Sequence, residues 1–193
     1  REMGCWLISD EVYHQIMFID DVSPSFLQLS KPTDKLIVIN SASKSFNMTG
    51  WRIGWITHPE ELGPHIAKLV QITTTGVPEF LQNGLISALQ NYKLLTKEVR
   101  QNLKKSRDLM FQRLIEWKRV ECSVPEAAFY AFFKVKDVRD SLEFAKNLII
   151  NTNVGVAPGI AFGESGEGHL RICFAAQQSF INEIMDRLEP ALN

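Results

Sequence analysis

Lys44 and Arg52 stand close together in the stretch SASKSFNMTGWRIGW, residues 41–55, with Ser41, Ser43 and Ser45 around the lysine and Thr49-Gly50 just before the arginine. One chemistry such residues offer is acyl transfer. Ser41-Ala-Ser-Lys44 matches the S-x-x-K pattern in which a lysine activates a serine nucleophile. That reading fails on its companions: Ser9-Asp10 is followed by Glu11, Thr49-Gly50 is preceded by Met48, and Ser41 ends a strand, not opens a helix. The other chemistry is ligand capture, with an amine, a guanidinium and several hydroxyls gathered in one crevice.

The elements around these residues decide whether they gather. KLIVIN (35–40) can only be a buried strand or a short buried helix segment, and with CWLIS (5–9) and RIGWIT (52–57) it reads as a strand. All three runs are apolar on both faces, which predicts central strands of a covered sheet. About ten residues separate KLIVIN from RIGWIT, too few for a parallel crossover. The two strands should run antiparallel, returning Arg52 to the edge where Lys44 sits. Asp10 lies just past the carboxyl end of CWLIS. If that strand is parallel to KLIVIN, Asp10 joins the same edge, where open α/β sheets bind ligands. Taken singly, Asp10 caps a turn, Lys44 is solvated and Arg52 pairs with Glu11 or Asp10. Their convergence argues for a site.

Further along, LGPHIAKLVQIT (62–73) predicts a helix with Pro64 in its first turn. PEFLQNGLISALQNYKLL (78–95) predicts a second and TKEVRQNLKKSRDLMFQRLIEWKRV (96–120) a third, with a solvated Lys/Arg face. From about residue 120 the texture changes. FYAFFKV (129–135), VGVAPG (154–159) and HLRICFA (169–175) read as strands, SLEFAKNLIIN (141–151) and QSFINEIMDRLEPAL (178–192) as helices. The 193 residues carry a net charge of -1, which supplies no basic excess for a nucleic-acid surface. No apolar run approaches the ~20 residues needed to span a bilayer. His14, His58, His65 and His169 lack metal-ligand spacing, so no metal is expected. Cys5, Cys122 and Cys173 are expected to be buried reduced thiols in a cytoplasmic protein. The opening REMG reads as the last turn of a helix with its Gly cap, so the chain is expected to be cut from something longer.

SDEVY (9–13), SASKSFNMTGWRIGW (41–55) and HLRICFA (169–175) together closely resemble the class I/II aminotransferases, pyridoxal-phosphate enzymes of fold type I. AFYAFFKV and GVAPGIAFG are similar to the family's small-domain strands. The resemblance spans nearly the whole chain but only the C-terminal half or so of a family member. It implies an α/β fold: the end of the large cofactor-binding domain (1–75), with a mostly parallel sheet and one antiparallel strand, linking helices (76–118) and a small C-terminal α/β domain (119–193). It also implies roles. Lys44 is the Schiff-base lysine and proton carrier, Asp10 faces the pyridine nitrogen, and Tyr13 donates to the phenolic oxygen. Arg52 and Ser41, with Ser43, bind the phosphate, and Arg171 grips the substrate α-carboxylate. Glu126-Ala127-Ala128-Phe129 stands where members often read G-A-F-Y, which alters a turn.

The resemblance further implies an amino acid and a 2-keto acid as substrates, a homodimeric intact enzyme, and neither nucleic-acid nor membrane partners. A β-lyase or related enzyme on the same scaffold shares all these residues, and a non-catalytic fragment is the alternative outside enzymology. The family's stacking aromatic ring, its asparagine and its small-residue phosphate turn are absent from these residues, so the isolated chain is expected to be inactive.

Overall fold

The computed structural model describes residues 1–193. The chain divides into two compact units, Arg1–Arg100 and Gln101–Asn193, with the division inside one long helix.

The first unit is built on a three-stranded sheet in the order β1-β2-β3, formed by β1 (Leu7–Asp10), β2 (Leu36–Ser41) and β3 (Gly54–Thr57). As the spacing requires, β1 pairs parallel with β2, from Leu7 opposite Leu36 to Asp10 opposite Ile39. β2 pairs antiparallel with β3, ending with Ser41 opposite Gly54. The parallel crossover, residues 11–35, is long enough for its purpose although its only regular piece is a 3-10 turn at Phe26–Leu29. Only β2 is a central strand. Its residues alternate between buried and half-buried, with Val38 fully covered. β1 and β3 each pair on one side alone, so the expectation of covered strands fails for them: Leu7 and Ile8 are 42% and 63% exposed.

α1 (Ala42–Ser45) follows β2 directly, then α2 (Gly63–Thr73) carries Pro64 in its first turn as expected. α3 (Glu79–Gln90) and α4 (Tyr92–Leu114) meet at Asn91, five residues earlier than the sequence pattern suggests. Asn91 ends α3 itself: its N–H donates to Ser87 and Ala88 carbonyls, and its Nδ2 to the Ser87 carbonyl at 2.9 Å. REMG is not a helical turn. It is a reverse turn closed by the Gly4 N–H on the Arg1 carbonyl, with Gly4 at φ 65°.

In the second unit an antiparallel sheet of order β4-β5-β7-β6 comprises β4 (Val120–Glu121), β5 (Tyr130–Val135), β6 (Ala157–Pro158) and β7 (His169–Cys173). One face is core: Ala131, Phe133 and Val135 of β5 and Leu170 and Ile172 of β7 are almost wholly buried. α5 (Ser141–Thr152) and α6 (Gln178–Leu192) bury Leu148, Ile181, Met185, Leu188 and Leu192 in this unit. The opposite sheet face carries the alternate residues of the same strands. Cys173 falls on that face and Cys5 precedes the edge strand, so both are exposed, against the expectation of burial. Cys122 is partly buried, and desolvation raises its thiol pKa. No helix is long and apolar enough to cross a membrane.

Candidate functional site

The first unit assembles six of the seven residues singled out in the sequence at the carboxyl ends of β1 and β2. Asp10 is the last residue of β1; the Glu11 N–H extends the ladder by donating to the Ile39 carbonyl. Asp10 Oδ1 then accepts from the Val12 N–H at 3.2 Å, so the acid does cap the turn that follows. That turn is pinned by Ile16, which is 1% exposed and whose N–H donates to the Tyr13 carbonyl. Tyr13 is thereby fixed above the strand ends. The Lys44 Nζ lies over its ring, 6.0 Å from the centroid. Two residues separated by thirty positions of chain are brought together, one from each side of the parallel strand pair.

The path from Lys44 to Arg52 is set by which residues point inward. Ala42, Met48 and Ile53 are buried with Ala88 of α3, and Phe46, Val77, Leu81, Leu85 and Leu95 pack around them. The apolar members of SASKSFNMTGWRI anchor the loop on α3; Ser43 and Ser45 are buried with them, while Asn47, Thr49 and Arg52 are exposed. Ile53 closes the loop on itself, its carbonyl accepting from the Ala42 N–H at 3.1 Å. Ser41 caps α1, accepting from the Ser43 N–H at 3.1 Å and donating across 3.5 Å to the Ile53 carbonyl. Ser43 is buried, and its backbone N–H is the one from which Ser41 accepts. Arg52 sits at φ 53°, a left-handed position that turns the chain back into β3 and leaves its side chain exposed. Its Nη1 donates to the Thr49 carbonyl at 3.0 Å. It pairs with neither Asp10 nor Glu11. Glu11 is buried and accepts instead from the Ser9 hydroxyl and the Phe26 N–H, both at 3.1 Å.

Arg171 belongs to the second unit, in the middle of β7, where it pairs with Phe132 of β5 and Ala157 of β6. Its guanidinium carbon lies 4.4 Å from the centroid of the Tyr130 ring and 4.1 Å from that of Phe162. Sequence reading marked FYAFFKV only as a strand. The alternation within it, with Ala131 and Phe133 inward and Tyr130 and Phe132 outward, is the signal that would have found Tyr130. Phe162 lies in the segment between β6 and β7, and no periodicity in the sequence reveals it. Asn40 was also missed: it is buried, and its Oδ1 has no hydrogen-bond partner.

A lysine in the helix after β2 lies over a phenol, with an acid at the end of the adjoining parallel strand and an arginine just before the antiparallel one. The family model "Aminotransferase class I and II" matches residues 1–188, and the chain belongs to that family. An aspartate aminotransferase of Pyrococcus abyssi is 33% identical over 96% of this chain and 48% of its own length. An LL-diaminopimelate aminotransferase of Natranaerobius thermophilus is 35% identical over 94% of this chain and 47% of its own. The solved aromatic aminotransferase of Pyrococcus horikoshii superimposes with a TM-score of 0.90 at 31% identity, over 98% of this chain and 52% of that one. The fold is therefore that of these aminotransferases, and the chain spans about half the length of the relatives it matches.

Proposed function

We propose that these residues belong to a pyridoxal-phosphate-dependent aminotransferase that moves an amino group between an amino acid and a 2-keto acid. The observation that carries the reading is Lys44 in α1, directly after β2, with its Nζ over the Tyr13 ring and Asp10 and Arg52 at the same sheet edge.

The donor set fits the cofactor from end to end. A carboxylate (Asp10) suits a ring nitrogen, a phenol (Tyr13) suits a phenolate oxygen, and an amine (Lys44) suits an aldehyde. A guanidinium and a hydroxyl (Arg52 and Ser41) suit a phosphate. Pyridoxal phosphate, when bound, supplies the electron sink that makes the substrate Cα proton removable. The chain's own residues do the rest. Asp10 would face the ring nitrogen and favour its protonated form. Tyr13 would donate its hydroxyl to the cofactor's phenolic oxygen. Lys44, held by a short helix that Ser41 caps, would be the general base for the proton at the substrate Cα. Ser41 would donate to a phosphate by turning its proton away from the 3.5 Å bond to the Ile53 carbonyl. Arg52 keeps donors beyond the one spent on Thr49. Arg171 takes the substrate carboxylate through paired in-plane N–H groups.

The test uses the complete enzyme, an amino-acid donor and a 2-keto acid acceptor. Stoichiometric amino transfer without ammonia release is expected, and Lys44→Ala should lower its rate by at least ~10³-fold, the scale of losing a general base together with the covalent step. Release of ammonia in place of amino transfer, or full activity in Lys44→Ala, would overturn the reading.

A further inference from the structure

Arg171 is held in an unusual way for a cation on a half-exposed sheet face. The residues paired across β5 and β7 share that face, so Tyr130, Phe132 and Lys134 stand beside Cys173, Arg171 and His169. Two rings, Tyr130 and Phe162, lie within 4.4 Å of the guanidinium carbon. No carboxylate or carbonyl of the chain accepts a hydrogen bond from it. A weakly hydrated planar guanidinium stacks well on rings, and stacking uses its face while leaving the in-plane N–H groups unspent.

Phe162 is itself held from two sides. Its ring meets Phe132 edge to face at 6.0 Å and 89°, and Phe132 stacks on His169 at 4.9 Å and 5°. The segment that carries Phe162 is fastened at its base. Gly159 and Gly166 touch so closely that a Cβ on Gly159 would lie 1.9 Å from the Gly166 carbonyl oxygen. Glu167 Oε1 accepts from the Ser141 and Gly168 N–H groups at 2.6 and 2.8 Å, and the Ser141 hydroxyl accepts from the Ile160 N–H at 3.2 Å. A 47%-exposed phenylalanine with this much support is placed, not left over from the core.

We propose that Phe162 and Tyr130 are positioning residues for Arg171: they fix the guanidinium before substrate arrives, so that its N–H pairs meet the carboxylate already oriented. This rests on the reading of Arg171 as the carboxylate-binding arginine. A free arginine gives up several rotors when it binds, and the rings remove that loss beforehand. Their contribution falls on binding and leaves the chemistry at Cα alone.

The experiment compares Phe162→Leu, Phe162→Tyr and Arg171→Leu in the complete enzyme. It measures kcat and KM for the amino-acid donor and the inhibition constant of propionate, a carboxylate that cannot react. Phe162→Leu is expected to raise KM and the propionate constant together by about tenfold, the scale of one partly desolvated cation–ring contact, with kcat within about twofold. Phe162→Tyr should restore both. Should Arg171→Leu abolish propionate inhibition while Phe162→Leu leaves it unchanged, the positioning role is wrong and the carboxylate role stands. Should Arg171→Leu leave propionate inhibition intact, the carboxylate role falls and the positioning role with it.

Discussion

At the scale of single residues, the proposed function gives the two arginines different anions: a phosphate for Arg52 and a carboxylate for Arg171. Arg52 stands at a strand end beside Ser41 and Lys44, and Arg171 stands mid-strand under two aromatic rings. Each is surrounded differently, so each should fail differently. Removing one partner of a desolvated charge pair costs about 2–5 kcal/mol. Arg171→Leu in the complete enzyme should therefore raise the donor KM by at least ~30-fold while cofactor retention through dialysis stays normal. Arg52→Leu should lose cofactor on dialysis and recover activity when pyridoxal phosphate is added back. Identical profiles for the two variants would mean that one assignment is wrong.

At the scale of elements, the turn before β5 and the loop after β6 carry consequences that can be measured. Ala128 sits at φ 61°. Ala128 lies in the stretch Glu126–Phe129 that departs from the family's G-A-F-Y, and an alanine here holds a left-handed backbone. The strain is of order 1–2 kcal/mol and is offset in part by the lower chain entropy of alanine. Ala128→Gly should raise the urea midpoint by an amount worth about 0.5–1 kcal/mol with an unchanged slope; a lower midpoint would show that the strain is absorbed elsewhere. At the far end of the loop, hydrogen bonds from the Gly168 and then the Ser141 N–H hold the Glu167 carboxyl below its usual pKa. A depressed folded-state pKa stabilises the fold above the ordinary glutamate value, and that contribution is lost as pH falls through the folded value. The native protein should lose thermal stability more steeply on acidification below the ordinary glutamate value than Glu167→Gln does. Parallel curves would remove Glu167 from this role. These elements also mark what was legible in the sequence. The strand directions followed from the length between KLIVIN and RIGWIT, and the convergence of Asp10, Lys44 and Arg52 followed from the directions. The break at Asn91 was hidden because both helices keep their apolar spacing through it. Phe162 was hidden because a tertiary contact between two glycines puts it where it is.

At the scale of the whole molecule, the proposed roles fall in both units: Asp10, Tyr13, Ser41, Lys44 and Arg52 lie in the first and Arg171 in the second. The first unit also exposes apolar side chains on its sheet and helices, among them Ile8, Ile72 and Phe80 at 63%, 81% and 71%. The central claim is that this fold presents Lys44, and no other lysine, to an aldehyde-bearing phosphate ligand. It is tested most directly by adding substoichiometric pyridoxal phosphate to the protein, reducing with borohydride, and mapping the adduct by mass spectrometry after digestion. The account predicts a single modified peptide containing Lys44, with the modification suppressed in Arg52→Leu because the phosphate end is no longer held. Adduct spread over surface lysines with Lys44 unmodified would contradict it.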